Sequence, residues 1–224
     1  MLANLESLCD GYIHQYSQTS KQGFAASMLS AQADFNQMKP EDNVDTSQVK
    51  GNISPEVKLA MLDSLAQPSH VLRTTGKPFR GFKSEFVSRM QLAEASVLSK
   101  AEEPDKLEGR VVFEVTVDED MLNEVGTMHG GCLAMIIEIC SPMPIYILRA
   151  STGNTYGVFG VQQSLNIVFH SPGVPGDKLR IVSTTLTLGS RARSGRCEVW
   201  NVTRRRLVAS AGYINMVPSE SSKL

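Results

Sequence analysis

The sequence has no surplus of either charge: 22 basic residues against 23 acidic ones leave a formal net charge of −1. Neutralising nucleic-acid phosphates takes a clear excess of Lys and Arg, so nucleic acid is not expected as a partner. No uninterrupted apolar run reaches the roughly 18–20 residues of a membrane span. The longest apolar stretch, Cys132–Ile139, is broken by Glu138 and stops at Cys140-Ser141-Pro142. The first residues carry Glu6 and Asp10 and no basic side chain before Lys21. That pattern fits neither a secretory leader nor an Arg-rich transit peptide. Cys9, Cys132, Cys140 and Cys197 lack CxxC spacing and read as ordinary reduced thiols. The histidines, His14, His70, His129 and His170, are equally dispersed, so no metal site or other cofactor is expected. GxSxG is missing too, which disfavours the nucleophile-elbow hydrolases.

With 224 residues, 42% of them hydrophobic, the chain can build one good core plus an extension, or two small domains. The first part reads as helical. Residues 2–38 show a mixed apolar pattern, 38–52 has the composition of a linker, and Ser54-Pro55 opens a helix with Ser as N-cap and Pro at its first position. That helix is expected to end at Pro68. Near residue 88 the apolar period changes. "LAEASVLSK" and "GRVVFEVTV" alternate as half-buried strands do, and a mostly helical stretch, Asn123–Ala150, follows. Four more strand candidates come after it, at 157–169, 178–188, 195–203 and 206–216, separated by "HSPGVPGD" and "GSRARSG". Antiparallel strands with one helix segregated to a face describe an α+β domain. The expected division is a helical extension over 1–85, a sheet domain over 86–217 and a flexible tail over 218–224.

The densest chemistry lies in "NEVGTMHGGCLAMIIE", Asn123–Glu138. Glycines at the start of a helix let another group approach its first N–H groups, which lack intrahelical partners and carry the positive end of the helix dipole. An oxygen gaining negative charge would be stabilised there. Glu138, eight residues past Gly130, lies about 12 Å further along the helix at 1.5 Å per residue. It is too far to serve an oxygen bound at its own helix start, but a two-fold dimer would bring it to the partner's. The plainer reading is that Gly130 and Gly131 serve close packing and Glu138 is a solvated helix residue. Against it, Met135, Ile136, Ile137 and Ile139 place the acid inside an apolar run, where a carboxylate wants a partner or a function.

"NEVGTMHGG" with its acid-bearing helix, followed by "GVQQSLNIVFHSPGVPGDKLRI", resembles the hotdog-fold acyl-CoA thioesterases of the phenylacetate-pathway type, over roughly residues 88–217. The resemblance implies an antiparallel sheet wrapped around one long central helix, and hydrolysis of an acyl-CoA to free acid and coenzyme A. It implies a homodimer or dimer of dimers. By the same resemblance Gly130 donates the N–H that polarises the thioester carbonyl, and His129 shapes the turn before it. Asn123 helps to place the attacking water, and Glu138 acts as general base or nucleophile. Gly131 and Gln162 fall in the substrate site, Gln162 where several relatives carry Ser or Thr. Pro142 and Pro144 are a second departure. Neither can donate to the helix ladder, so a kink is expected past the acid that frees the Glu138 carbonyl. It either shapes an acyl tunnel or marks a site that has lost activity. Arg191 and Arg193, with Arg196 near the same turn, are candidates for gripping coenzyme A phosphates. Arg204–Arg206 read as a solvated face. The competing readings are a catalytically silent acyl-CoA-binding protein and an acyl-thioester dehydratase.

The chain ends in Ser222-Lys223-Leu224, the tripeptide read by the peroxisomal import receptor, so that receptor is an expected partner and the peroxisome the expected location.

Overall fold

The computed structural model describes residues 45–66, 84–152 and 160–217, all within the unit Pro40–Leu224. The helical reading of 2–38, the stop at Pro68 and the tail 218–224 lie outside the described residues.

Two helices lead into the sheet: α1 (Pro55–Ala66) and the short α2 (Ser84–Val87). The Ser54 hydroxyl accepts from the Val57 N–H at 3.5 Å, as an N-cap before Pro55 should. Six strands follow: β1 (Gln91–Ser99), β2 (Leu107–Thr116), β3 (Val161–Phe169), β4 (Lys178–Leu188), β5 (Ala192–Asn201) and β6 (Arg206–Met216). They form one antiparallel sheet in the order β1-β2-β4-β5-β6-β3. Between β2 and β3 run α3 (Gly130–Cys140) and α4 (Met143–Ser151). α3 packs on β3, β4 and β5, and α4 on β1, β2 and β4. Ile136, Ile137, Ile145 and Ile147 of these helices are buried with Val111, Phe113, Leu179 and Ile181 of the strands. This is the expected α+β hotdog arrangement: an antiparallel sheet around a central helix.

The helix begins at Gly130, at the glycine pair, and not at the head of the mostly helical stretch Asn123–Ala150. Residues 123–129 form the turn that leads into it. It breaks at Ser141-Pro142, as the missing proline donors require, and resumes at Met143. Counted through the break, Gly130–Ser151 is 22 residues, long and apolar enough by composition to cross a membrane. A search for uninterrupted apolar runs does not see this; here the segment packs against the sheet. Gly109 of β2 makes that packing possible, because a Cβ there would collide with the carbonyl of Pro144.

The two edges of the sheet differ. Beside β1, the Lys50 N–H bonds to the Ala93 carbonyl at 3.0 Å, and the Ala95 N–H to the Lys50 carbonyl at 2.9 Å. The Asn52 amide both accepts from the Val97 N–H and donates to its carbonyl, each at 2.8 Å. Residues 49–52 therefore cap an edge and are not the linker that their composition implies. Val49, Ile53 and Met61 are buried, so the described part of the segment before residue 85 belongs to the same unit as the sheet. β3, at the other end of the sheet order, pairs with β6 alone among the described residues. Its Val168 and Phe169 are 51% and 55% exposed. An open apolar edge of this kind is a template for another chain.

Candidate active site

The start of α3 is held from several sides. The Asn123 carboxamide oxygen accepts from the N–H groups of Val125 and Thr127, both at 3.1 Å, and its nitrogen donates to the Thr127 hydroxyl at 3.0 Å. Gly126, at φ +78°, completes that turn. The Asn123 side chain is thus committed to its own turn and positions the loop. Downstream, the Met128 N–H bonds to the Gly173 carbonyl at 2.9 Å and the His129 N–H to the Met121 carbonyl at 2.8 Å.

His129 is the N-cap of α3: its Nδ1 accepts from the Gly131 N–H at 2.8 Å. An accepting Nδ1 requires the neutral ring with its proton on Nε2. A Cβ on Gly131 would stand 3.0 Å from that nitrogen, so the glycine admits the cap. Gly130 differs. A Cβ there meets only the Phe169 ring, at 3.6 Å, an ordinary contact. Its N–H is the first of the helix, and no described residue takes it up. It opens on a cleft of ≈ 350 Å³ lined largely by apolar groups, among them Met128, Leu133, Phe169, Pro172 and Val208.

Glu138 lies near the far end of α3, exposed on this chain, while Ile136 and Ile137 before it are buried. Partial removal from water raises its pKa above the ordinary 4.5. Just beyond it, the Ser141 hydroxyl lies 3.4 Å from the Glu138 carbonyl that the prolines leave free. The same hydroxyl lies 3.4 Å from the Gln162 side-chain nitrogen. A register shift in β3 falls at this point, between Gln162 and Ser164. Gln162 therefore stands at the acid end of the helix and Phe169, at the other end of β3, beside Gly130. The two groups thus face opposite ends of one strand.

Arg191 is exposed. Arg193 is not: it is 1% exposed, and burial, with Arg149 nearby, pushes its pKa down to about 10. The assignment of Arg193 to a surface phosphate grip is corrected accordingly. β5 starts at Ala192, three residues before the expected strand, which sets Arg193 on the inward face with Gly195, Cys197 and Val199. Sequence reasoning also missed Ser141 and Gly173, whose contacts are made across the fold. Among the described residues no group of three His, Cys, Asp or Glu side chains is placed to hold a metal ion.

Residues 125–208 match the model of the thioesterase superfamily. The match covers 84 of the 224 residues and is confined to this segment. The match takes in the helix start, the acid and the Pro-Gly loop. Acyl-coenzyme A thioesterase 13 of Homo sapiens is 27% identical over 105 residues, which are 47% of this chain and 71% of that protein. Zebrafish thioesterase superfamily member 2 is similar in structure at 23% identity and a TM-score of 0.49, over 66% of this chain and 94% of that one. A Streptococcus pneumoniae thioesterase crystallised with coenzyme A is similar at 23% identity and a TM-score of 0.43, over 50% and 81% of the two chains.

The raised pKa of Glu138 has a consequence for stability. A carboxyl whose pKa is raised on folding binds its proton more tightly in the folded state. It costs no stability below its unfolded pKa and costs most once the pH exceeds its folded one. Glu138→Gln should therefore raise the melting temperature at about pH 7.5 and leave it unchanged at about pH 4, read by thermal denaturation.

Proposed function

We propose that this protein hydrolyses acyl-CoA thioesters to a carboxylic acid and coenzyme A, in sites that each combine two chains. The observation that carries the reading is the pairing, on one helix, of an uncommitted N–H at Gly130 and a partly desolvated acid at Glu138. The superfamily match and the similarity to a named acyl-coenzyme A thioesterase support the substrate class.

The thioester oxygen sits at the Gly130 N–H of one chain, where the helix dipole adds to the hydrogen bond. Glu138 of the second chain takes a proton from water, and the hydroxide adds to the carbonyl carbon. The oxyanion so formed is held at Gly130. Its collapse breaks the carbon–sulfur bond, and the coenzyme A thiolate leaves with the proton returned by Glu138. Thioesters are reactive enough for one donor and one base to suffice. His129 is not the base in this scheme, because its Nδ1 is committed to the Gly131 N–H. Gln162 and Ser141 meet at the acid's end of the helix, Ser141 against the Glu138 backbone carbonyl, and are the candidates to hold water there. The open β3 edge, with Val168 and Phe169, is the surface by which two copies would join as a homodimer. Arg191 is the remaining candidate from its turn for the phosphates.

Thiol release from a chain-length series of acyl-CoAs, followed with a thiol reagent, tests the reading. Glu138→Gln should lower kcat by on the order of 10²–10⁴. In the unaltered protein kcat/KM should fall on the acid side with an apparent pKa above 4.5. Undiminished turnover by Glu138→Gln would remove the acid from the mechanism. No thiol release from any acyl-CoA would leave a silent acyl-CoA binder.

We also propose peroxisomal import through Ser222-Lys223-Leu224. Deleting the tripeptide should leave purified activity unchanged and make the cellular protein diffuse; persistent punctate staining would rule the signal out.

A further inference from the structure

Asp177 is buried, 2% exposed, and every polar contact of its carboxylate is to another segment or to its own loop. One oxygen accepts from the Val174 N–H at 3.0 Å and from the Asn201 amide at 2.7 Å. Arg204 Nε donates to both oxygens, at 2.9 and 3.0 Å. Burial alone would raise the Asp177 pKa, but the Val174 N–H, Arg204 and Asn201 outweigh it and hold the group below the usual carboxylate range. Its backbone is equally engaged. The Asp177 N–H bonds to the Val174 carbonyl at 3.0 Å, and its carbonyl accepts from the Val117 N–H at 2.9 Å. One residue therefore ties together the Pro-Gly loop over 171–177 and the β5–β6 turn by its side chain, and the end of β2 by its backbone.

That loop touches the start of α3. Gly173 is buried, and its carbonyl accepts the Met128 N–H at 2.9 Å, two residues before Gly130. A Cβ on Gly173 would stand 3.4 Å from a Val117 methyl and 3.6 Å from the Met128 Cβ, ordinary contacts that place the loop beside the end of β2 and the turn before α3. Ser171, Pro172 and Gly173 line the cleft onto which Gly130 opens, and Asp177 does not.

We propose that Asp177 is a positioning residue: it fixes the Pro-Gly loop so that the Gly173 carbonyl holds the start of α3 and aims the Gly130 N–H at the thioester oxygen. This rests on Gly130 being the donor, as in the proposed function. A preorganised donor stabilises an oxyanion only if its direction is set before the charge develops. The loop holds the helix start through the Met128–Gly173 hydrogen bond, so what fixes the loop helps to set that direction, together with the His129 N–H bond to the Met121 carbonyl. Asp177→Asn keeps the size and one accepting oxygen but removes the charge and puts an NH₂ in place of the second oxygen that Arg204 bonds, which loosens the loop.

The test uses the full chain and a non-hydrolysable methylene-ketone analogue of an acyl-CoA, whose carbonyl stretch reports polarisation by the donor. In the unaltered protein that stretch should move to lower frequency on binding. In Asp177→Asn the shift should shrink, and kcat should fall about tenfold with KM changed less than about twofold, a part of what losing one oxyanion donor costs. Arg204→Gln, which removes one partner at a half-exposed position, should show a smaller loss in the same direction, and stands in if Asp177→Asn does not fold. A full shift and unchanged kcat in the folded variants, with only the melting temperature lowered, would make the network merely structural and overturn the proposal. No shift in the unaltered protein would remove Gly130 as donor, and the role of Asp177 with it.

Discussion

A rigid helix sets the terms of this structure. Gly130 and Glu138 sit on one unbroken stretch of α3, and the α-helical rise holds them about 12 Å apart. No side-chain rotation closes that gap, so a thioester carbonyl polarised at Gly130 cannot be reached through the Glu138 of the same chain. The rest of the domain is consistent with a site completed from outside. The acid is exposed although it lies next to buried isoleucines, and among the described residues no group takes up the first N–H and β3 pairs on one side only. The opposite edge is capped by Lys50 and Asn52.

The two ends of the helix are built with different means. At its start, His129 spends a ring nitrogen on Gly131, and the first N–H is spared. N-caps of this kind satisfy one orphan donor and contribute about 1 kcal/mol. At its far end, Pro142 stops the hydrogen-bond ladder, and the Ser141 hydroxyl lies against the freed carbonyl of Glu138 and the Gln162 side chain. The break also lets α4 change course and lie on Gly109, which has no side chain to hold it off.

The strands were legible because their apolar residues alternate, and the helix start because His-Gly-Gly precedes an apolar run with one acid. What escaped depends on long-range pairing. Residues 49–52 look like a linker because their partners, Ala93 to Val97, are more than forty positions away. Arg193 looks like a surface cation until β5 is known to begin at Ala192, when alternation alone turns it inward. Asn123 shows how a polar residue near a site can be committed elsewhere: its Asx turn is local and could have been read from the Gly126 that follows. Ser141 carries no local signal, since its contact with Gln162 exists only once β3 lies beside the helix.

A mixed dimer tests the shared site most directly. Gly130→Pro removes the N–H and spares the helix. Proline suits the first helical position, and His129, at φ −66° and ψ 131°, already has the extended conformation that a residue before proline needs. One chain carrying Glu138→Gln is paired with one carrying Gly130→Pro, and the purified heterodimer is assayed for thiol release. If acid and donor come from opposite chains, both lesions fall in one site and the other stays intact, giving about half the unaltered activity. If they come from the same chain, each site has one lesion and no activity remains, which would contradict the two-chain site.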